Sequence, residues 1–168
     1  MSISSSANLV IRPAQKGDAG LILRFIRELA AYENAESSVV ATQAQLTTSL
    51  FDAQSPARAL ICLKDEVAIG YAVYFYNYST WQGRQGLYLE DLYISPQYRH
   101  CGAGQAVLSH LARQAVAKGC GRLEWSVLDW NEPAIKFYQK LGAEPQSEWV
   151  QYRLSGDALM QLVRSENL

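Results

Sequence analysis

The run Leu87-Tyr88-Leu89-Glu90-Asp91-Leu92-Tyr93-Ile94, the break Ser95-Pro96 and then Gln97-Tyr98-Arg99-His100-Cys101-Gly102-Ala103-Gly104 decide how the rest of the chain is read. Aliphatic and aromatic residues in a short run stopped by proline are the pattern of a buried strand. Beyond Gly104, Leu108, Leu111, Ala112 and Ala115 recur at helical spacing, Lys118 falls in the last turn and Gly119 supplies a left-handed stop. The stretch therefore predicts strand, glycine-rich turn, helix. Such a turn delivers a helix N-terminus, whose first N–H groups lack helical partners and where the macrodipole places about half a positive charge. Gly102 and Gly104 allow a diphosphate close to the main chain, and Arg99 adds a charge with several donors. There is no third glycine for a dinucleotide fingerprint and no Gly-Lys-Ser/Thr for a P-loop. Taken alone, the turn is more often a tight connection than a ligand site.

Toward the N-terminus, residues 59–64 and 67–76 are apolar runs joined by Lys64-Asp65-Glu66, the layout of a hairpin. Tyr78-Ser79-Thr80-Trp81-Gln82-Gly83-Arg84 reads as a polar, aromatic loop leading into the strand at Leu87. Leu9-Val10-Ile11-Arg12-Pro13 reads as a short strand, and Asp18 as the cap of a helix with a stripe of Ile22, Phe25, Ile26 and Leu29. Thr42-Gln43-Ala44-Gln45 has the form of a capping box that opens a second helix. Toward the C-terminus, residues 123–128 predict a strand, and Asn131-Glu132-Pro133 opens a helix with Ala134, Phe137, Tyr138 and Leu141 inward and Gly142 as its stop. Residues 149–154 read as a closing strand. The Ser-rich residues 1–7 are expected to be a flexible tail, and 8–168 a single domain. Strands followed by strand–helix–strand–helix imply an α/β (α+β) fold with a mixed sheet flanked by helices.

Length and charge narrow the function. The 168 residues suffice for one core, and 15 basic against 16 acidic residues give a net charge of −1, without the footprint of a nucleic-acid or membrane-surface binder. Three widely spaced cysteines, Cys62, Cys101 and Cys120, fit no metal pattern and suit a reducing compartment. With no signal-like N-terminus and no long apolar run, a cytoplasmic protein without metal is expected.

Arg99-x-x-Gly102-x-Gly104 after a strand resembles the phosphate-binding motif of the GNAT family of acyl-CoA-dependent N-acetyltransferases. Leu87-Tyr88-Leu89-Glu90-Asp91, Leu128-Asp129-Trp130-Asn131-Glu132-Pro133, Phe137-Tyr138 and Leu141-Gly142-Ala143, in that order, resemble its diamine acetyltransferase branch, the spermidine/spermine enzymes and their thialysine-acetylating relatives. The resemblance spans roughly residues 9–154. It implies a mostly antiparallel sheet whose central parallel strands splay apart to admit the pantetheine of acetyl-CoA, here residues 87–94 and 123–128. It implies cosubstrate contacts at Leu92, Tyr93 and Ile94, at the turn Arg99, His100, Cys101, Gly102, Ala103, Gly104 and Gln105, and at Asn131, Pro133, Ala134 and Tyr138.

The residues carry chemistry of their own. An alkyl ammonium of pKa about 10.4 is neutral only about once in two thousand molecules at pH 7, so something must take its proton. Glu90 lies within an apolar strand, where an unpaired carboxylate is costly; it is either a structural ion-pair or edge residue or, as the resemblance implies, the group that binds the amine and passes its proton to water. Asp91 alternates to the opposite strand face and is not expected to share that task. Tyr138 by spacing is core; the resemblance makes it the general acid for the leaving thiolate. Asn131 is a helix cap that by resemblance also meets CoA.

For the acceptor, the resemblance puts Tyr32-Glu33 in the substrate channel, though both also fit an exposed helix end. Glu124, Trp125, Ser126 and Glu148 complete the expected acceptor set. Where the polyamine enzymes carry an Asp before Trp-x-Gly, this chain has Ser79-Thr80-Trp81. Hydroxyls suit an amino-acid carboxylate that an Asp would repel. A thialysine- or lysine-like amino acid is thus the expected small primary-amine substrate, with polyamines, a protein lysine or N-terminus, or a non-catalytic CoA-binding module as alternatives. The matched relatives imply a homodimer.

Overall fold

The computed structural model describes residues 8–165. The expected tail, residues 1–7, lies outside them. Strands β1 (Leu9–Pro13), β2 (Ala57–Lys64), β3 (Val67–Ser79), β4 (Arg84–Ile94) and β5 (Leu123–Trp125) form one sheet in chain order. The first four pair antiparallel, and β5 joins β4 in parallel, which matches the mixed, mostly antiparallel sheet expected. The helices are α1 (Ala19–Tyr32), α2 (Gln43–Phe51), α3 (Ala103–Ala117), α4 (Glu132–Lys140) and α5 (Gly156–Ser165). The chain divides into two compact units, the first ending at Ser126 and the second beginning at Val127.

In the first unit, Ile22 and Phe25 of α1 pack on Ala59, Ile61, Tyr71 and Tyr93, with the Phe25 and Tyr71 rings stacked at 5.9 Å. Burying a side chain such as Phe25 contributes about 1.5–3 kcal/mol. The apolar stripe of α3, Val107, Leu108, Leu111 and Ala115, is buried as well. From α3, Gln114 Nε2 donates to the phenol oxygens of Tyr74 at 2.6 Å and Tyr76 at 3.1 Å. Alternation along β3 places Tyr74 on the face opposite Tyr71, so α1 and α3 cover the two faces.

Local signals act largely as read. Thr42 N donates to Gln45 Oε1 at 2.8 Å and Gln45 N to Thr42 Oγ1 at 3.2 Å, closing the capping box. Asp65 and Glu66 take left-handed φ of 49° and 66° and make the β2–β3 turn. Gly119 ends α3 at φ 68°. Asp18 departs from expectation: its carboxylate does not cap α1 but accepts from Gln15 N at 2.7 Å, in a capping box on the turn just before it, and from Arg12 through two hydrogen bonds of 2.7 and 2.9 Å.

Three strand boundaries move. Residues 78–84 are not a loop: Tyr78 pairs with Gln85 and Ser79 with Arg84, so the segment is the end of a hairpin with a four-residue tip. Exposed hairpin arms need no apolar alternation, which is why their composition reads as loop. The expected strand 123–128 stops at Trp125, where pairing with Leu89 ends, because the next residue of β4, Glu90, is a bulge. Residues 149–154 form no strand; they are exposed and no ladder partner is present for them among the described residues. In the second unit, Asn131 caps α4, its Oδ1 accepting from Ala134 N at 3.4 Å, and Gly142 follows at φ 83°.

Candidate active site

The site is built around an interruption of β4. Across from β3, Leu89 pairs with Tyr74 and Asp91 with Val73, so Glu90 is an extra residue without an opposite number. A bulge bends its strand and strengthens the local twist. On the other edge, pairing with β5 runs from Leu87 to Leu89 and then ceases, while β4 continues to Ile94. The ladder thus ends where the resemblance implies that the two strands splay, and the backbone groups of Leu92, Tyr93 and Ile94 facing that edge have no ladder partner among the described residues.

β4 leads into a short helical turn, Pro96–Tyr98, and then into the glycine turn. His100 (φ 64°) and Gly102 (φ 83°) are left-handed, and a Cβ at Gly102 would meet nothing within 4 Å, so the main chain there stands open. Ala106 N donates to Gly102 O at 2.9 Å, leaving the N–H groups of Ala103, Gly104 and Gln105 without helical partners. Cys101 Sγ turns back onto Tyr98 O at 2.9 Å. This cradle fits a diphosphate through backbone donors and helix polarity. Arg99 is engaged locally: its Nε donates to Ile94 O at 3.0 Å, and its guanidinium carbon lies 4.7 Å from the Tyr32 ring centroid and 5.7 Å from that of Tyr93.

The acidic residues divide. Glu90 is exposed at the bulge. Asp91 is half-buried and accepts a 2.9 Å hydrogen bond from the Tyr71 phenol. Burial pushes the Asp91 carboxyl above the ordinary range, against the Tyr71 bond, and Glu33 is pushed up by burial and by the charge of Asp91. Burial, and then Asp91 itself, keeps the Tyr71 phenol protonated far above its usual range. Asp91 also forms the one charged part of the wall of a cavity of about 320 Å³ lined by Ile22, Ile26, Leu46, Leu50 and Val73. Strict alternation turns Asp91 away from Glu90's task; the bulge breaks that alternation, and the adjacent Glu-Asp pair within an apolar strand is the signal for it in the sequence.

Other expected acceptor residues lie elsewhere. Glu124 is occupied by Arg122 Nε at 2.9 Å and by Asn77 Nδ2 at 3.0 Å, so its charge is already compensated. Trp125 ends β5, and Ser126 Oγ lies 2.7 Å from the Tyr88 hydroxyl. Ser79 is buried and accepts from Gln82 N at 3.2 Å, whereas Thr80 and Trp81 are exposed at the hairpin tip. Ser79 is six residues along β3 from Val73, the partner of Asp91. At about 3.3 Å per residue that is roughly 20 Å, longer than a lysine-like acceptor. One chain does not bring the Ser79-Thr80 hydroxyls and Asp91 to the two ends of such a molecule.

In the second unit, α4 carries Pro133 and Ala134 in its first turn. Tyr138 is half-buried on this helix with its ring 5.4 Å from that of Phe137. Glu148 is exposed. No cluster of three His, Cys, Asp or Glu side chains able to hold a metal exists among the described residues.

Residues 25–143 match the family described as the acetyltransferase (GNAT) family. The chain belongs to that family. The GNAT reaction, acetyl transfer to an amine, is the chemistry of this enzyme, with acetyl-CoA as the cosubstrate. A thialysine N-epsilon-acetyltransferase of Bos taurus is 38% identical to this GNAT chain over 170 residues, covering 93% of it and 98% of the relative. An L-ornithine N5-acetyltransferase of Arabidopsis thaliana is 45% identical over 97 residues, 58% of this chain and 42% of the relative. Among solved structures, an integron cassette protein from the mobile metagenome of V. cholerae superposes with a TM-score of 0.79 at 25% identity, covering 93% of this chain and 98% of its own.

Proposed function

We propose that this enzyme moves the acetyl group of acetyl-CoA directly onto the side-chain amine of a small thialysine- or lysine-like amino acid. The observation that carries the reading is the acidic wall formed by Glu33 and Asp91 next to the Glu90 bulge, where the β4 edge opens. Carboxylates held partly out of water gain most from an ammonium partner, which makes the wall selective for a cationic acceptor. The relatives named for thialysine and ornithine act on amino acids with a side-chain amine, which supports the same class.

In this reading the unpaired edge at Leu92–Ile94 and the N–H groups of Ala103, Gly104 and Gln105 hold the cosubstrate, which supplies the activated acetyl group. Glu90, exposed and beside the wall, accepts the ammonium proton and passes it to solvent. Tyr138 returns a proton to the departing thiolate, and a phenol of pKa about 10 facing a thiol of about 8.5 is a workable donor. A linear diamine is the second reading, favoured by one observation: the Ser79-Thr80 hydroxyls lie too far from Asp91 to select an amino-acid head within one chain.

A homodimer belongs to the proposal. It is supported by the apolar residues Trp149, Val150, Leu159, Met160, Leu162 and Val163, which are exposed in the single chain and need cover. A cytoplasmic location is supported by the three cysteines, all free thiols. No helix among the described residues is long and apolar enough to cross a membrane.

Initial rates of CoA release with thialysine, lysine, ornithine, putrescine, spermidine and a lysine peptide test the acceptor. Selective turnover of the amino acids supports the first reading and preference for putrescine or spermidine the second. CoA binding without turnover of any of them would point to a different acceptor or to a non-catalytic CoA-binding module.

A further inference from the structure

The C-terminal end of α1 meets the segment that leads from β4 into the glycine turn at two places. Glu28 accepts from Ser95 Oγ at 3.3 Å while sharing its other carboxylate oxygen with Arg24 Nε at 3.4 Å. One helical turn on, the ring of Tyr32 lies 4.7 Å beneath the Arg99 guanidinium, inside the range in which a cation is held by an aromatic face. The next residue, Glu33, is half-buried and feels the charge of Asp91. Two consecutive residues thus face two different ligand regions, one the first residue of the glycine motif and the other the acidic wall.

We infer that Tyr32 is a positioning residue for the phosphate-binding turn and that, through the Tyr32–Arg99 stack, occupancy of the turn and occupancy of the acidic wall are thermodynamically coupled. The inference rests on the acetyl-CoA reading of the turn. Arg99 cannot swing freely toward a diphosphate, because its Nε is bound to Ile94 O and its flat face is covered by Tyr32 and Tyr93. The stack therefore holds the arginine in one orientation before the ligand arrives, which lowers the ordering cost of binding. A diphosphate held by Arg99 in this orientation therefore favours the matching position of Tyr32, and with it that of the last turn of α1 and the Glu33 backbone. Linkage is reciprocal: an amine that fixes Glu33 must tighten CoA by the same factor as CoA tightens the amine.

The test is calorimetric titration of CoA into the full chain, with and without saturating lysine, for wild type, Tyr32→Leu, Tyr32→Phe and Arg99→Met, and for the Tyr32→Leu/Arg99→Met double variant. Tyr32→Leu should weaken CoA binding about fivefold and abolish the effect of lysine, whereas Tyr32→Phe, which keeps the aromatic face, should stay within about twofold of wild type. In the Arg99→Met background, Tyr32→Leu should add nothing, as expected of two residues acting through one contact. Unchanged CoA affinity in Tyr32→Leu, or the same further loss in the Arg99→Met background, overturns the inference. A wild-type chain that binds no CoA overturns the acetyl-CoA reading as well, so the two failures are told apart.

Discussion

The phenol of Tyr71, fully buried on β3, donates a 2.9 Å hydrogen bond to the carboxylate of Asp91 on β4, fixing a charge at the boundary between core and cavity. The folded chain raises the pKa of both Asp91 and Glu33, so between the ordinary carboxylate pKa and the raised values it binds more protons than the unfolded chain. Stability from this pair is fully present below the ordinary carboxylate range and falls as pH rises through that window. Asp18 has the opposite sign: Arg12 lowers its pKa, and its contribution is lost as pH falls. Asp91→Asn keeps an acceptor for Tyr71 and removes the charge. Its stability relative to wild type should therefore increase from pH 4 to pH 7 in urea titrations, while kcat/KM for the amine falls by about tenfold or more. A pH-independent difference in stability would place the Asp91 charge outside the balance.

Glu90→Gln keeps the bulge and removes the base. Turnover at pH 7 should fall about a hundredfold and recover as pH approaches the pKa of the free amine, where deprotonated acceptor is supplied by the solvent. A parallel drop at every pH would show that Glu90 is not the proton acceptor.

Tyr138→Phe tests the other proton. The expected result is a loss of about a hundredfold in kcat with little change in KM for acetyl-CoA, and a smaller loss with an acyl donor whose thiol leaves more readily. Equal losses with both donors would reduce Tyr138 to a packing residue.

Gly102→Ala isolates backbone strain in the turn. The added methyl meets no atom, so the cost comes from φ 83° alone, about 1–2 kcal/mol. KM for acetyl-CoA should rise, and the loss of stability in chemical unfolding should not exceed that strain. Gly70→Ala is the contrasting case: a Cβ there would strike Tyr93 O and Ile94 of β4, and destabilisation of about 3 kcal/mol or more is expected in chemical unfolding.

What could be read ahead of the structure followed the strength of local rules. The turn at Gly102, the capping box at Thr42 and the stops at Gly119 and Gly142 depend on a few neighbouring residues and were legible. Asp91 was not, because a bulge is fixed by cross-strand register, which a single strand does not display. Ser79 and Thr80 were legible as hydroxyls, but their distance from Asp91 is set by how far the β3–β4 ladder extends. Glu124 reads as a free acid until the sheet brings Asn77 of β3 beside it and Arg122, two residues earlier, turns onto it.

The edge of β4 beyond Leu89 has a further consequence. Unpaired strand edges are the places where sheets recruit foreign chains. In the proposed binding mode, the amide-bearing arm of acetyl-CoA occupies that edge as a removable strand would, satisfying the same N–H and C=O groups. The folded state should then be sturdier when the enzyme is loaded, by about 2.7 kcal/mol at a hundredfold excess over Kd, and most prone to self-association when cosubstrate runs out. In that binding mode the supply of acetyl-CoA bears on both the rate of the reaction and the lifetime of the catalyst.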